Sequence, residues 1–316
     1  MLRKLTALLL VLSLLLLPMA TAEPAAVRIG ALKGPTGMGM APMMKDKADQ
    51  YEFTLAAAPD QIVPLLVKGE LDIAAVPANL GAVLYNNTEG AVRVLAVNTL
   101  GVLYVLERGD TVHTVADLKC RTLVTSGKGS TPEYALNYIL AGNGLDPKAD
   151  LTIEFKSEHA ECLAAMLEDE SVVAMLPQPF ATVARTKAED ARIALDLNAE
   201  WDALQSGAEN PSGLITGVVV ARAAFVDEHP EAVEQFMTDY AESVAFVQEN
   251  VEEAARLIGE FEIFEAGPAK LALPYCNIVF ISGEEMKTRL SGYLQSLLDQ
   301  DPASIGGALP GEDFYY

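Results

Sequence analysis

From Val27 onward the chain alternates short apolar runs with segments whose hydrophobic residues recur at helical spacing. Val27–Leu32, Glu52–Ala56, Leu71–Val76, Val92–Val97 and Val102–Leu106 read as strands, the last two separated by Asn98-Thr99-Leu100-Gly101. Between them a helix starts near Met38. A second, Asp60–Lys68, places Ile62, Leu65 and Leu66 on one face and stops at Gly69. Pro64 fits that helix only within its first turn. A further helix begins at Pro77-Ala78-Asn79. Such strand–helix order predicts a mainly parallel sheet with its binding edge at the strand C-termini.

A second α/β unit starts near Val115. It holds strands at Thr122–Thr125, Leu151–Phe155 and Val172–Leu176, with helices at Pro132–Ala141 and Glu161–Leu167. A polar stretch, Ser206 to Gly213, follows Trp201. Ile215–Ala221 is too apolar for a linker and must rejoin a sheet. From Pro230 the pattern is helical, with Val233, Phe236, Met237, Tyr240 and Val244 on one face, and helices around 253–258 and 284–298 complete the chain. The chain therefore divides into one lobe of residues 23–104 plus 218–316 and another of 105–217, with crossings near Gly101 and Gly217.

Residues 1–22 precede this pattern and carry a basic start (Arg3, Lys4), an apolar run Leu5–Leu17, Pro18, and Ala20-Thr21-Ala22. That is the layout of a cleaved secretory signal, too short to span a bilayer, and it predicts a mature chain beginning at Glu23. No cysteine stands there, so no lipobox is present. Losing Arg3 and Lys4 moves the net charge from −22 to −24. Nucleic acid and anionic lipid would be repelled, whereas a buried anionic ligand held by backbone amides would not. Cys120, Cys162 and Cys276 have no paired spacing and are expected to be buried thiols.

Two strand-to-helix turns look alike. Lys33-Gly34-Pro35-Thr36-Gly37-Met38-Gly39 follows the first strand, and Ser126-Gly127-Lys128-Gly129-Ser130-Thr131-Pro132-Glu133 follows Thr122–Thr125. Neither is a Walker loop or a dinucleotide fingerprint. Each aims unpaired N–H groups and a helix dipole beyond the strand ends, where a small anion can satisfy them. Thr131-Pro132 reads as N-cap then first helical residue, and Ser130-x-x-Glu133 as a capping box. His113, His159 and His229 lie far apart without metal-ligand spacing, and no hydrolase or metalloprotease motif occurs.

Several segments then carry a resemblance: Val27–Met44, Asp60–Asn79, Asp117–Leu140, Val172–Phe180 and Gly217–Phe236. They resemble the exported substrate-binding proteins of ABC importers, in the nitrate, sulfonate, taurine and thiamine-precursor group. Where members often have Gly this chain has Cys120, and where they have Pro-Glu-Pro it has Pro177-Gln178-Pro179. The resemblance implies a two-lobed type II periplasmic-binding fold, each lobe a mainly parallel sheet flanked by helices, joined by two hinge strands. It implies ligand contacts from the loops after several strands. In this chain those loops supply Lys33, Thr36, Gly37, Met38, Pro77, Asn79, Asn98, Thr99, Gly127, Lys128, Gly129, Ser130, Thr131, Gln178 and Thr216.

The function implied is a monomeric periplasmic receptor without cofactor or metal. It would capture a small anionic or polar organic solute and deliver it to a membrane permease and its ATPase. The alternatives are a thiamine-pyrimidine-synthase-like enzyme on the same fold, whose histidine and metal constellation these histidines do not supply, or a sensory ligand-binding module.

Overall fold

A computed structural model describes residues 26–207 and 212–316; the signal-like start lies outside them. Two sheets organise the chain. The first has the order β11-β4-β10-β3-β1-β2, from β1 (Val27–Leu32), β2 (Tyr51–Ala56), β3 (Ile73–Pro77), β4 (Val92–Leu100), β10 (Ile215–Arg222) and β11 (Ile278–Ile281). The second runs β7-β6-β8-β5-β9, from β5 (Leu103–Arg108), β6 (Thr122–Thr125), β7 (Thr152–Phe155), β8 (Val173–Pro177) and β9 (Ala191–Asp196). β1, β2 and β3 are parallel, as are β6, β7 and β8, while β10 and β5 enter their sheets antiparallel to both neighbours. The result is a mixed α/β molecule of two lobes, each a mainly parallel sheet between helices.

The central strands β3 and β8 are buried at every position, which explains their unbroken apolar sequence. β4 continues through Asn98 and Thr99 to Leu100, where the sequence suggested a break. The strand is kept because Asn98 turns inward, its Nδ2 donating to the Thr36 carbonyl at 3.3 Å while its Oδ1 accepts from Thr99 Oγ1 at 3.1 Å. Pro64 does fall in the first turn of the helix Val63–Lys68, and Gly69 ends that helix in the left-handed region at φ 76°.

At the end of the first sheet remote from the strand C-termini, Asp72 ties three strands together. Its carboxylate accepts from Arg28 Nε at 2.9 Å, Arg28 Nη2 at 2.7 Å and Arg222 Nη2 at 2.7 Å. Burial pushes its pKa up, but the bonds from Arg28 and Arg222 more than offset this and hold the carboxyl below its ordinary range.

The lobes meet at an aromatic seam. Trp201, on the helix Leu197–Gln205, is fully buried, with Tyr138 at 4.3 Å and Tyr293 at 5.3 Å between ring centroids. Its indole N–H donates to the Ser212 carbonyl at 2.9 Å. Tyr138 lies on the helix Thr131–Gly142 and Tyr293 on Gly283–Gln300, so one side chain packs against helices of both lobes.

One cysteine expectation is corrected. Cys162 and Cys276 are buried, and burial pushes their thiols up to about 11 and about 12. Cys120 instead is exposed, on a turn just before β6 with φ 63°. A left-handed backbone there suits glycine best, which accounts for the residue the resembling family often carries.

Candidate functional site

Between the lobes, at the C-terminal ends of β1, β2, β3, β6, β7 and β8, lies a cavity of about 550 Å³. Its walls combine turns of both lobes. Of the residues expected from sequence, Lys33, Thr36, Pro77, Thr99, Gly127, Lys128, Gly129, Ser130, Gln178 and Thr216 line it. The lining also includes the apolar Leu32, Val63, Leu80, Val102, Leu103 and Phe180, and the acids Asp60 and Glu158.

Five expected residues turn away. Met38 is fully buried in the core of the first lobe, and Gly37 packs with its Cα under the Leu32 carbonyl, so the first turn offers only Lys33 to Thr36. Asn98 is occupied inside the sheet, as described. Asn79 and Thr131 face each other: Thr131 Oγ1 donates to Asn79 Oδ1 at 3.2 Å, and Asn79 Nδ2 donates to the Ser304 carbonyl at 2.9 Å. Both are fully buried. This is a polar tie between the lobes beneath the cavity rather than a ligand contact. Thr131→Val leaves the Asn79 oxygen without a donor while every cavity-lining group stays in place. An expected loss of about 1–2 kcal/mol in unfolding free energy, measured by urea titration, follows.

The second turn is built differently from its sequence signature. The helix Thr131–Gly142 takes Ser130 as its N-cap, so Thr131 and Pro132 are its first two residues, and the box is not closed. Ser130 Oγ donates to the Gly127 carbonyl at 2.7 Å, and Glu133 reaches the Gly129 N–H at 2.5 Å. Gly127 and Gly129 have φ of 79° and 72°, which tightens the loop. Among the described residues the N–H groups of Gly127 and Lys128 meet no acceptor. They remain donors for a ligand.

Gln178 adds a third donor. Its Oε1 accepts from the Thr182 N–H at 3.2 Å and from Thr182 Oγ1 at 2.8 Å. A backbone N–H can only donate, so the oxygen must face Thr182 and the amide Nε2 is left for the cavity. Lys33 stands exposed at the mouth, whereas Lys128 lies over the Phe155 ring at 5.8 Å and Lys156 pairs with Glu154 at 3.0 Å.

Sequence reasoning missed the turns Ala57–Asp60 and Lys156–His159, which follow β2 and β7 and also line the cavity. The same strand-end rule that found the other turns points to them. His159 matters most. Its Nδ1 lies 2.6 Å from Ser126 Oγ, and its ring stands 5.5 Å from that of Phe180. Dense packing pushes its pKa down to about 4, although part of the imidazole still reaches the cavity. An unfolded imidazole takes a proton below pH 6.5, whereas the folded one resists until about 4. Stability is therefore complete above pH 6.5 and declines as pH falls towards 4. At pH 5 the expected loss from this group is about 2 kcal/mol. Thermal melts at pH 7.5 and 5 should differ less for His159→Gln than for the wild type.

A cavity at the strand ends of two lobes is where such a fold places a small-molecule ligand. Residues 43–270 match the family described as phosphonate periplasmic substrate-binding proteins of ABC transporters, and the chain belongs to that family. It is thus the substrate-binding component of an ABC import system, with a small-molecule solute and a permease as partners. No curated protein matches the sequence. Among solved structures, an ABC transporter protein from Parabacteroides distasonis is 24% identical, with a TM-score of 0.77 over 93% of this chain and 99% of that one. The aliphatic sulphonate binding protein SsuA of Escherichia coli is 16% identical, with a TM-score of 0.72 over 93% and 92%. The nitrate-binding protein NrtA of Synechocystis PCC 6803 is 14% identical, with a TM-score of 0.66 over 90% and 84%. These likenesses establish the fold.

Proposed function

We propose that the cavity captures an organic oxyanion, a phosphonate or sulfonate bearing an apolar body, and that the protein hands it to its permease. The observation that carries this is the set of donors in the lining: Gln178 Nε2, the N–H groups of Gly127 and Lys128, and the Lys33 ammonium, while the lining acids Asp60 and Glu158 are exposed to water. Among the described residues no arginine lines the cavity, so the oxyanion is held by amides, hydroxyls and lysine rather than by a bidentate clamp. A volume of about 550 Å³ suits an organic molecule and would leave a bare inorganic ion loosely contacted.

The family membership supports binding without turnover, and the same geometry is in keeping with it. The Ser126–His159 contact pairs a hydroxyl with an imidazole whose pKa of about 4 makes it a weak base at neutral pH. The signal-like start supports export to the periplasm, and the acidic charge disfavours nucleic acid. The protein acts as a monomer alongside a permease and its ATPase. Its lobes, residues 23–104 plus 218–316 and 105–217, close on the solute by hinge motion.

Calorimetric titration with methylphosphonate, benzenesulfonate, inorganic phosphate and nitrate tests the ligand class. The organic oxyanions should bind at least tenfold more tightly than the inorganic ions, and Lys33→Met should weaken them about three- to tenfold. Saturable binding of nitrate or phosphate with none of the organic compounds would overturn the proposal.

A further inference from the structure

On the far side of Phe180 lies a second hollow, of about 650 Å³. Leu163 and Leu167, from the helix His159–Glu168, line it together with Val183, from the helix Phe180–Lys187, and Phe264 and Pro268 from the other lobe. Phe180 belongs to both linings, so one aromatic side chain is the shared wall. That ring is bracketed by His159 at 5.5 Å on the cavity side and by Phe264, edge-on, at 5.1 Å on the other.

We infer that this hollow is a distal subsite for the apolar tail of the cavity's ligand, reached past Phe180. The inference rests on the oxyanion reading and narrows the substrate to an alkyl or aryl oxyanion several carbons long. Leu167, Val183, Phe180 and Phe264 are only partly buried, so a tail seated there removes their remaining apolar surface from water. Charge fixes the orientation. The hollow's lining sets Glu262 and Glu265 against Lys187 and so disfavours an oxyanion, whereas the cavity's lining sets Lys33, Lys128 and Lys156 against Asp60 and Glu158 and adds the donors of Gln178 and Gly127. A ligand therefore enters head to the cavity and tail to the hollow. An inserted tail must displace the Phe180 ring, which makes this residue the length filter.

Calorimetry with n-alkylphosphonates from methyl to decyl tests the subsite. Once the chain outgrows the cavity, affinity should rise by about fourfold for each added methylene, the equivalent of about 0.8 kcal/mol. Val183→Asp should abolish that rise and leave methylphosphonate affinity as in the wild type; Leu167→Glu, on the facing helix, serves if Val183→Asp does not fold. Phe180→Ala should strengthen long chains relative to short ones. A flat or falling series, unaltered by Val183→Asp, would overturn the subsite while methylphosphonate binding kept the head-group reading intact. Failure of every phosphonate and sulfonate to bind would remove both. Chain-length dependence that survives both groove variants would assign the hollow to another occupant and likewise overturn the inference.

Discussion

Gln178→Glu is expected to weaken organic oxyanion binding about a hundredfold, or ~2.7 kcal/mol, while leaving the melting temperature unchanged. The substitution keeps what holds the side chain, because a glutamate oxygen can still accept from the Thr182 N–H and hydroxyl. What changes is the other end, where an amide donor becomes a carboxylate oxygen facing the ligand's own negative charge. Such like-charge contact is worth more in a water-poor cleft than at a surface. Calorimetry with the best-bound phosphonate or sulfonate reads the effect directly. An affinity within threefold of wild type would show that Gln178 does not face the ligand. The Pro-Glu-Pro of resembling proteins makes this position informative, since an acid there suits solutes that carry a donor or a cation.

Asp72→Ala is the substitution expected to cost most stability, about 3 kcal/mol. Removing the carboxylate strands two guanidinium groups and frees the Arg28 N–H that it accepts from at 3.1 Å. The arginines keep some contact with water, which places the loss at the lower end of the range for broken buried ion pairs. Because the Asp72 carboxyl is held below its ordinary range, its contribution is complete above the usual carboxylate pKa and disappears as pH falls through the folded value. Urea unfolding at pH 7 should show the full difference, and that difference should shrink as pH is lowered below the ordinary carboxylate range. Ligand affinity should hold, because Asp72 sits at the opposite end of the strands from Pro77 and Thr216.

Much of this architecture was legible because a parallel sheet writes itself as short apolar runs, and its ligands gather where those runs end. Lys33 and Gly127 to Ser130 follow from that rule, and Gln178 from the family resemblance. The turns at Ala57–Asp60 and Lys156–His159 obey it too, but their sequences lack the glycines that drew attention elsewhere. What the rule does not carry is direction within a turn. Met38 and Gly37 follow Thr36 by one or two residues, and a short helical turn rotates them into the core. Asn79 and Thr131 look like ligand contacts in isolation. They satisfy each other only because two lobes approach, a contact between residues 52 positions apart that no local pattern records. The open end of the capping box has a similar cause: Glu133 reaches one residue further back because the Gly127–Gly129 loop presents the Gly129 N–H to it.

Trp201 is the chain's one tryptophan, and it sits where both lobes touch it. Its fluorescence therefore comes from a single buried place, the seam that must shear if the lobes move. Tyr138 and Tyr293 stand close enough to pass excitation to the indole, and the bond to the Ser212 carbonyl fixes its polarity. Opening would admit water and shift the emission to longer wavelength, with no label attached. Under the proposed hinge closure, the indole would serve as a built-in optical gauge of that motion, readable in the same cuvette as a ligand titration.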